Sequence, residues 1–112
     1  MKKKITKQES VLLPILVKLL KKHGKRNPIK APDIALYMTD RKYELGFNTQ
    51  FPESSLRKYA AIIRGSGMLP LIASRRGYYI SYNDNEIRNA MVSMNERGHK
   101  IMKAARGMGK FL

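Results

Sequence analysis

Between Phe51 and Tyr82 the spacing of apolar residues changes once, and the change divides the stretch into a helix and a hairpin. Leu56, Tyr59, Ala60 and Ile63 recur at three- and four-residue intervals, so they share one helical face. Ser54, Arg57, Lys58, Ala61 and Arg64 fall on the opposite face, which is small and basic and holds no acidic residue. Pro52 suits the first helical position, where its missing N–H costs nothing. Glu53 complements the positive end of the helix dipole. Gly65-Ser66-Gly67 predicts the stop, because glycine adopts the left-handed conformation of a C-terminal cap. Residues 69–74 and 78–82 are short runs rich in β-branched and aromatic residues, parted by Arg75-Arg76-Gly77. They predict a β-hairpin with an arginine tip. Pro70 cannot donate to a ladder and belongs at a strand start or an edge.

Three further helices are expected. Over 9–22, Leu12, Ile15, Leu16, Leu19 and Leu20 form a wide stripe flanked by Val11, Leu13 and Val17, which predicts a mostly buried helix. Pro14 fits its first turn or else kinks it. Lys18, Lys21, Lys22 and His23 crowd its last turn, where cations suit the dipole, and Gly24 ends it. Residues 25–30 read as a loop. Pro32 opens a short second helix over 32–38, with Ile34, Ala35 and Met38 inward. Residues 39–50 form a connection of about a dozen residues that Tyr43, Leu45, Phe47 and Phe51 can pack down. Asn83, with Glu86 three residues on, resembles a capping box for a last helix over 83–108.

That last helix carries Ile87, Met91, Met94, Gly98, Ile101, Ala105 and Met108 at 4-3-4-3-4-3 spacing. Such a stripe either packs on its own domain or pairs with a second copy as a parallel or antiparallel coiled coil. A helix of roughly 35 Å at 1.5 Å per residue overhangs so small a domain, which favours a homodimer. Gly98 weakens the seam or marks a break. The expected organisation is a flexible basic arm over 1–8, a domain over 9–82, the dimerisation helix over 83–108 and a loose tail over 109–112.

Charge narrows the partners. The 112 residues hold 23 Lys and Arg against 8 Asp and Glu, a net charge of +15. Residues 1–30 alone carry ten basic residues and one acidic. A polyanion is the natural partner, nucleic acid before an anionic membrane surface. The absence of cysteine excludes disulfides and cysteine-ligated zinc. Pro14 and Lys18 break the longest apolar run well short of a bilayer span. The opening MKKKITK resembles the basic start of a signal peptide, but Lys21, Lys22, His23 and Gly24 follow with no cleavage pattern. A cytoplasmic location and no membrane association are expected.

No catalytic set stands out. His23 and His99 lie far apart without a pattern of metal ligands. The carboxylates are scattered among basic residues, where ion pairing is the simpler account. Ser54-Ser55 lacks a nucleophile-elbow context, and Gly107-Met108-Gly109-Lys110 lacks the spacing of a phosphate loop. No enzyme activity, metal or cofactor is expected. What remains is binding. Arg57, Lys58 and Arg64 project from neighbouring turns of one face. A guanidinium pairs bidentately with the O6 and N7 of guanine, although contacts to phosphate are the commoner use. Ser54 and Ser55 at the helix start suit phosphate contacts or capping. Arg75 and Arg76 at the tip can reach a backbone or a narrow minor groove, and Lys25 and Arg26 extend the basic footprint.

A basic-faced helix followed by an arginine-tipped hairpin resembles the winged helix-turn-helix. More narrowly, R-x6-R-x-x-G-x-x-P-L-I-A-S-x-x-G-Y-Y-I (Arg57, Arg64, Gly67, Pro70, Gly77, Tyr78, Tyr79) is similar to small winged-helix proteins of bacteriophages and other bacterial mobile elements, over about Ile29 to Met108. The resemblance implies an α+β, mainly α fold: a three-helix core, a two-stranded wing and a long C-terminal helix. It implies double-stranded DNA as partner, with the third helix in the major groove and the wing on flanking backbone or minor groove, in a transcription regulator or a replication or excision accessory factor. The long connection before the third helix departs from the three- or four-residue turn of the tightest such motifs. Two other classes fit the basic face: a protein–protein module of the kind phages use against host machinery, and an RNA-binding protein.

Overall fold

The structure, a computed structural model, describes residues 6–112. The fold is mainly helical, α+β, in the order α1 (Lys7–Leu20), α2 (Ala31–Glu44), α3 (Glu53–Gly65), β1 (Leu71–Ser74), β2 (Gly77–Ile80) and α4 (Asp84–Gly109). The chain divides into two compact units between Ser81 and Tyr82.

In the first unit three helices and one face of the hairpin share a core. Leu12, Leu16, Leu20, Ile34, Met38, Leu56 and Ile63 are its largest fully buried side chains. α1 starts at Lys7, two residues before the expected start, because Thr6 caps it. The Glu9 amide donates to Thr6 Oγ1 (3.1 Å), and the Thr6 amide donates back to Glu9 Oε1 (2.9 Å). This reciprocal pair satisfies two amides that would otherwise lack partners. It also moves the helix start into the stretch expected to be a flexible arm; residues 1–5 of that arm lie outside the described residues. Pro14 sits inside the helix on its exposed side.

α2 runs two turns further than expected, to Glu44. The expected stripe ends at Met38, but the next position on the same face, Lys42, is buried as well, at 3% exposure. Its stem continues the stripe begun by Ile34 and Met38. Its ammonium donates to Thr49 Oγ1 (2.8 Å) and the Gln50 carbonyl (3.0 Å) and lies 5.9 Å from the centre of the Phe47 ring. The connection to α3 is thereby shorter than the dozen residues expected, and its backbone is folded onto α2. Thr39 Oγ1 accepts from the Phe51 amide (3.0 Å) and secures the far end.

α3 begins at Glu53 with Pro52 as its cap residue, and it buries the four residues its spacing selects: Leu56, Tyr59, Ala60 and Ile63. The Phe51 and Tyr59 rings meet edge to face, 5.1 Å between centres. Gly67, at φ +67°, turns the chain so that the Met68 amide donates to the Ile63 carbonyl (3.0 Å).

β1 and β2 pair antiparallel in the register Leu71 with Ile80 and Ser74 with Gly77, which leaves Arg75-Arg76 as a two-residue tip. Both strands are shorter than the apolar runs that predict them. Residues 25–30, expected to be a loop only, contribute a third extended piece. The Ile29 amide donates to the Tyr78 carbonyl (2.9 Å), and the Tyr78 amide donates to the Ile29 carbonyl (2.7 Å).

α4 is one uninterrupted helix of 26 residues, so Gly98 is not a break. Asn83 caps it, accepting from the Glu86 amide (3.0 Å). It extends to Gly109, one residue beyond the expected end and into the stretch expected to be loose tail. None of its residues is buried.

Candidate nucleic-acid interface

The outward face of α3 follows from its inward one. With Leu56, Tyr59, Ala60 and Ile63 turned to the core, Ser54, Arg57, Lys58 and Ala61 are exposed, and Ser55 is half-buried. Among the described residues Arg57 enters no ion pair. Lys58 does: its ammonium lies 3.5 Å from Glu9 Oε2 at the start of α1. The Glu9 carboxylate is buried, at 5% exposure. The Thr6 amide foremost, and the Lys58 ammonium with it, hold its pKa below the ordinary carboxylate range against the opposing effect of burial. Its negative charge adds to the larger effect of burial in raising the pKa of the Tyr59 phenol. Glu9 thus fastens α3 to α1 and holds one of the candidate cations in place.

Arg64, expected on the basic face, sits at its edge. It is half-buried, and its Nε donates to the Leu71 carbonyl (2.9 Å). The guanidinium therefore joins the end of α3 to the first strand, a role that spacing alone does not reveal.

The hairpin tip is built for close quarters. Ser74 Oγ donates to the Gly77 carbonyl (3.0 Å) and accepts from the Arg76 amide (3.3 Å), which closes the turn. Gly77 has φ +127°, and a Cβ there would lie 2.5 Å from the Ile29 carbonyl oxygen. No other residue fits where the Ile29 segment crosses the strand. Arg75 and Arg76 project from this turn, both exposed. Tyr79 is buried and Tyr78 half-buried.

Lys25 and Arg26 are exposed on the connection after α1. Asn27 shapes it: Oδ1 accepts from the Gly24 amide (2.9 Å), Nδ2 donates to the Lys22 carbonyl (3.1 Å), and the Asn27 carbonyl accepts from His23 Nδ1 (2.7 Å). The Ile80 amide donates to the His23 carbonyl (2.9 Å). With the Ile29 bridge, this ties the Lys25-Arg26 connection and the hairpin into one backbone framework.

In α4 the stripe residues Ile87, Met94 and Gly98 are half-buried, while Met91, Ile101, Ala105 and Met108 are exposed. Among the described residues no group of His, Asp or Glu is placed to hold a metal ion, and no helix is long and apolar enough to cross a membrane. A shallow cleft of about 290 Å³ between α1 and α2 is lined by Ile15, Lys18, Tyr37, Arg41, Glu44 and Leu45. Within it Arg41 pairs with Glu44 at 2.6 Å and lies 5.3 Å from the centre of the Tyr37 ring.

Comparison with family models, with curated proteins and with solved structures gives no match.

Proposed function

We propose that this chain is a winged helix-turn-helix protein that binds double-stranded DNA, with α3 in the major groove and the Arg75-Arg76 tip on the flanking backbone or minor groove. The observation that carries the reading is the division of α3. Four apolar residues anchor it in the core, and the face left in water presents Ser54, Arg57 and Lys58 in a chain of net charge +15. A rigidly mounted cationic helix of this kind suits the width of the B-DNA major groove. The element order supports it further, since three helices are followed by a hairpin whose second strand is bridged by the Ile29 segment.

In this reading Arg57 contacts a guanine edge or a phosphate, Lys58, Arg75, Arg76, Lys25 and Arg26 contact phosphates, and Arg64 positions the wing against the recognition helix. The protein acts as a homodimeric regulator or as an accessory factor in replication or excision on a mobile element, without catalysis. The test is selection from a random duplex pool across a salt series. An enriched two-fold motif that survives moderate salt supports the reading; binding with no motif that vanishes as salt rises leaves only counterion release.

A second reading is a protein–protein module that docks an acidic partner on the same basic face, with Leu36, Tyr43 and Leu45, exposed along and just beyond α2, as further contact surface. Arg57→Glu separates the two: in the first reading it weakens DNA binding at least about tenfold, and in the second it weakens only binding to the protein partner.

A further inference from the structure

α4 leaves a regular apolar face in water. Met91, Ile101 and Met108 are 57%, 69% and 69% exposed. The character of the face specifies what fits it. From Ile87 to Ala105 the intervals are 4-3-4-3-4, which reads the same in both directions. Two copies laid antiparallel, with residue 96 of each at the two-fold axis, therefore bring Ile87 onto Ala105, Met91 onto Ile101 and Met94 onto Gly98, each pairing occurring twice. Large side chains meet small ones where Gly98 and Ala105 occur, so neither small residue faces its own copy. A parallel pair would set Gly98 on Gly98 and Ala105 on Ala105, which opens voids in the seam. Close-packed seams disfavour such voids.

Charge points the same way. Residues 84–96 carry Asp84, Glu86 and Glu96 against Arg88, a net −2, and residues 97–109 carry Arg97, Lys100, Lys103 and Arg106, a net +4. The antiparallel arrangement sets the acidic half of one helix beside the basic half of the other and opposes the two helix dipoles. The parallel one stacks like on like. Near the axis Glu96 is level with its own copy but falls, by its spacing from Met94 and Gly98, on the side away from the seam, and Arg97, which meets its own copy, reaches water through its long side chain.

We propose that α4 pairs with a second copy of itself, antiparallel over residues 87–105, centred on residue 96. This rests on the homodimer reading given above and sharpens it. The two Asn83 positions, where the N-terminal units attach, then stand at opposite ends of the pair, about 39 Å apart along the axis.

The protein has no cysteine, so single spin labels can be placed on the full chain at Asn85→Cys and, separately, Ser93→Cys, both exposed. The antiparallel register puts the two Asn85 positions about 33 Å apart along the axis and the two Ser93 positions about 9 Å apart. A parallel pair brings both sets to about the interaxial distance of 8–10 Å. Long for Asn85 and short for Ser93 is the expected result. Short distances at both sites would overturn the antiparallel register and leave the homodimer standing. No distance at either site, with sedimentation as a monomer, would overturn the homodimer and the register together. Binding of that monomer to phosphatidylglycerol vesicles would identify a lipid surface as the occupant, for which the basic flank of Lys100, Lys103 and Arg106 also has the right charge.

Discussion

Along α3, Leu56, Tyr59, Ala60 and Ile63 are all buried, whereas along α4 Met91, Ile101, Ala105 and Met108 lie open to water. Both helices carry apolar residues at three- and four-residue spacing, so periodicity alone does not separate them. The difference lies in what surrounds each. α3 is bounded by Phe51 at one end and the Gly67 turn at the other, and α1, α2 and β1 close over its apolar side. α4 begins after the hairpin has completed the first unit and has its stripe left over. Spacing tells which face of a helix seeks cover; the cover itself comes from elsewhere in the chain or from another molecule.

The largest effect that tests this contrast is at Ile63, which is fully buried. Ile63→Ala is expected to cost the first unit about 2–5 kcal/mol, read by denaturant unfolding. Ile101→Ala in α4 should leave the stability of that unit within about 0.5 kcal/mol, as surface changes do. Equal losses in the two variants would mean that the α4 stripe belongs to the core after all. Next comes Gly77. Ala there must hold φ near +127° with its Cβ against the Ile29 carbonyl, and a loss of about 1–3 kcal/mol is expected from the backbone alone. A Gly77→Ala protein with unchanged melting would show that the Ile29 segment does not hold the hairpin.

The smallest effect concerns pH. Glu9 has a pKa depressed by folding. Its contribution is complete above the unfolded value of about 4.3 and is lost as pH falls through the lower folded value. The wild-type protein should therefore lose stability more steeply than Glu9→Gln as pH falls from the unfolded value through the lower folded one. Parallel acid-unfolding curves for the two proteins would remove the Glu9 charge from the account of how the start of α1 is held.

Much of the first unit was legible from spacing and turn residues. The buried face of α3, the Gly67 stop and the arginine tip follow from local rules that tertiary packing then obeys. Three features were not legible, each for a physical reason. Lys42 fills a core position with a charged residue whose partners, Thr49 and Gln50, become neighbours only once the connection folds, so α2 looked two turns shorter than it is. Ile29 joins the sheet as a single bridge, too short to leave a period. Arg64 lies on the basic face by angle, and its bond to the Leu71 carbonyl depends on where the chain returns after Gly67. The candidate interface was legible at Arg57, Arg75 and Arg76, where exposure follows from helix angle and turn position. The link between Lys58 and Glu9 was hidden, because those residues are brought together only by the packing of α1 on α3.

The central claim is that the exposed face of α3, mounted on this core, binds duplex DNA. It is tested most directly by the equilibrium affinity of the wild-type chain and of Arg57→Glu for one duplex over a salt series. Arg57 is exposed and forms no ion pair among the described residues, so the substitution should leave the unfolding curve unchanged. The account predicts that affinity falls at least about tenfold at moderate salt and that, where Arg57 touches phosphate, the salt slope drops by about one ion. Arg57→Glu protein that binds the duplex as tightly as wild type, with the same slope, would contradict it.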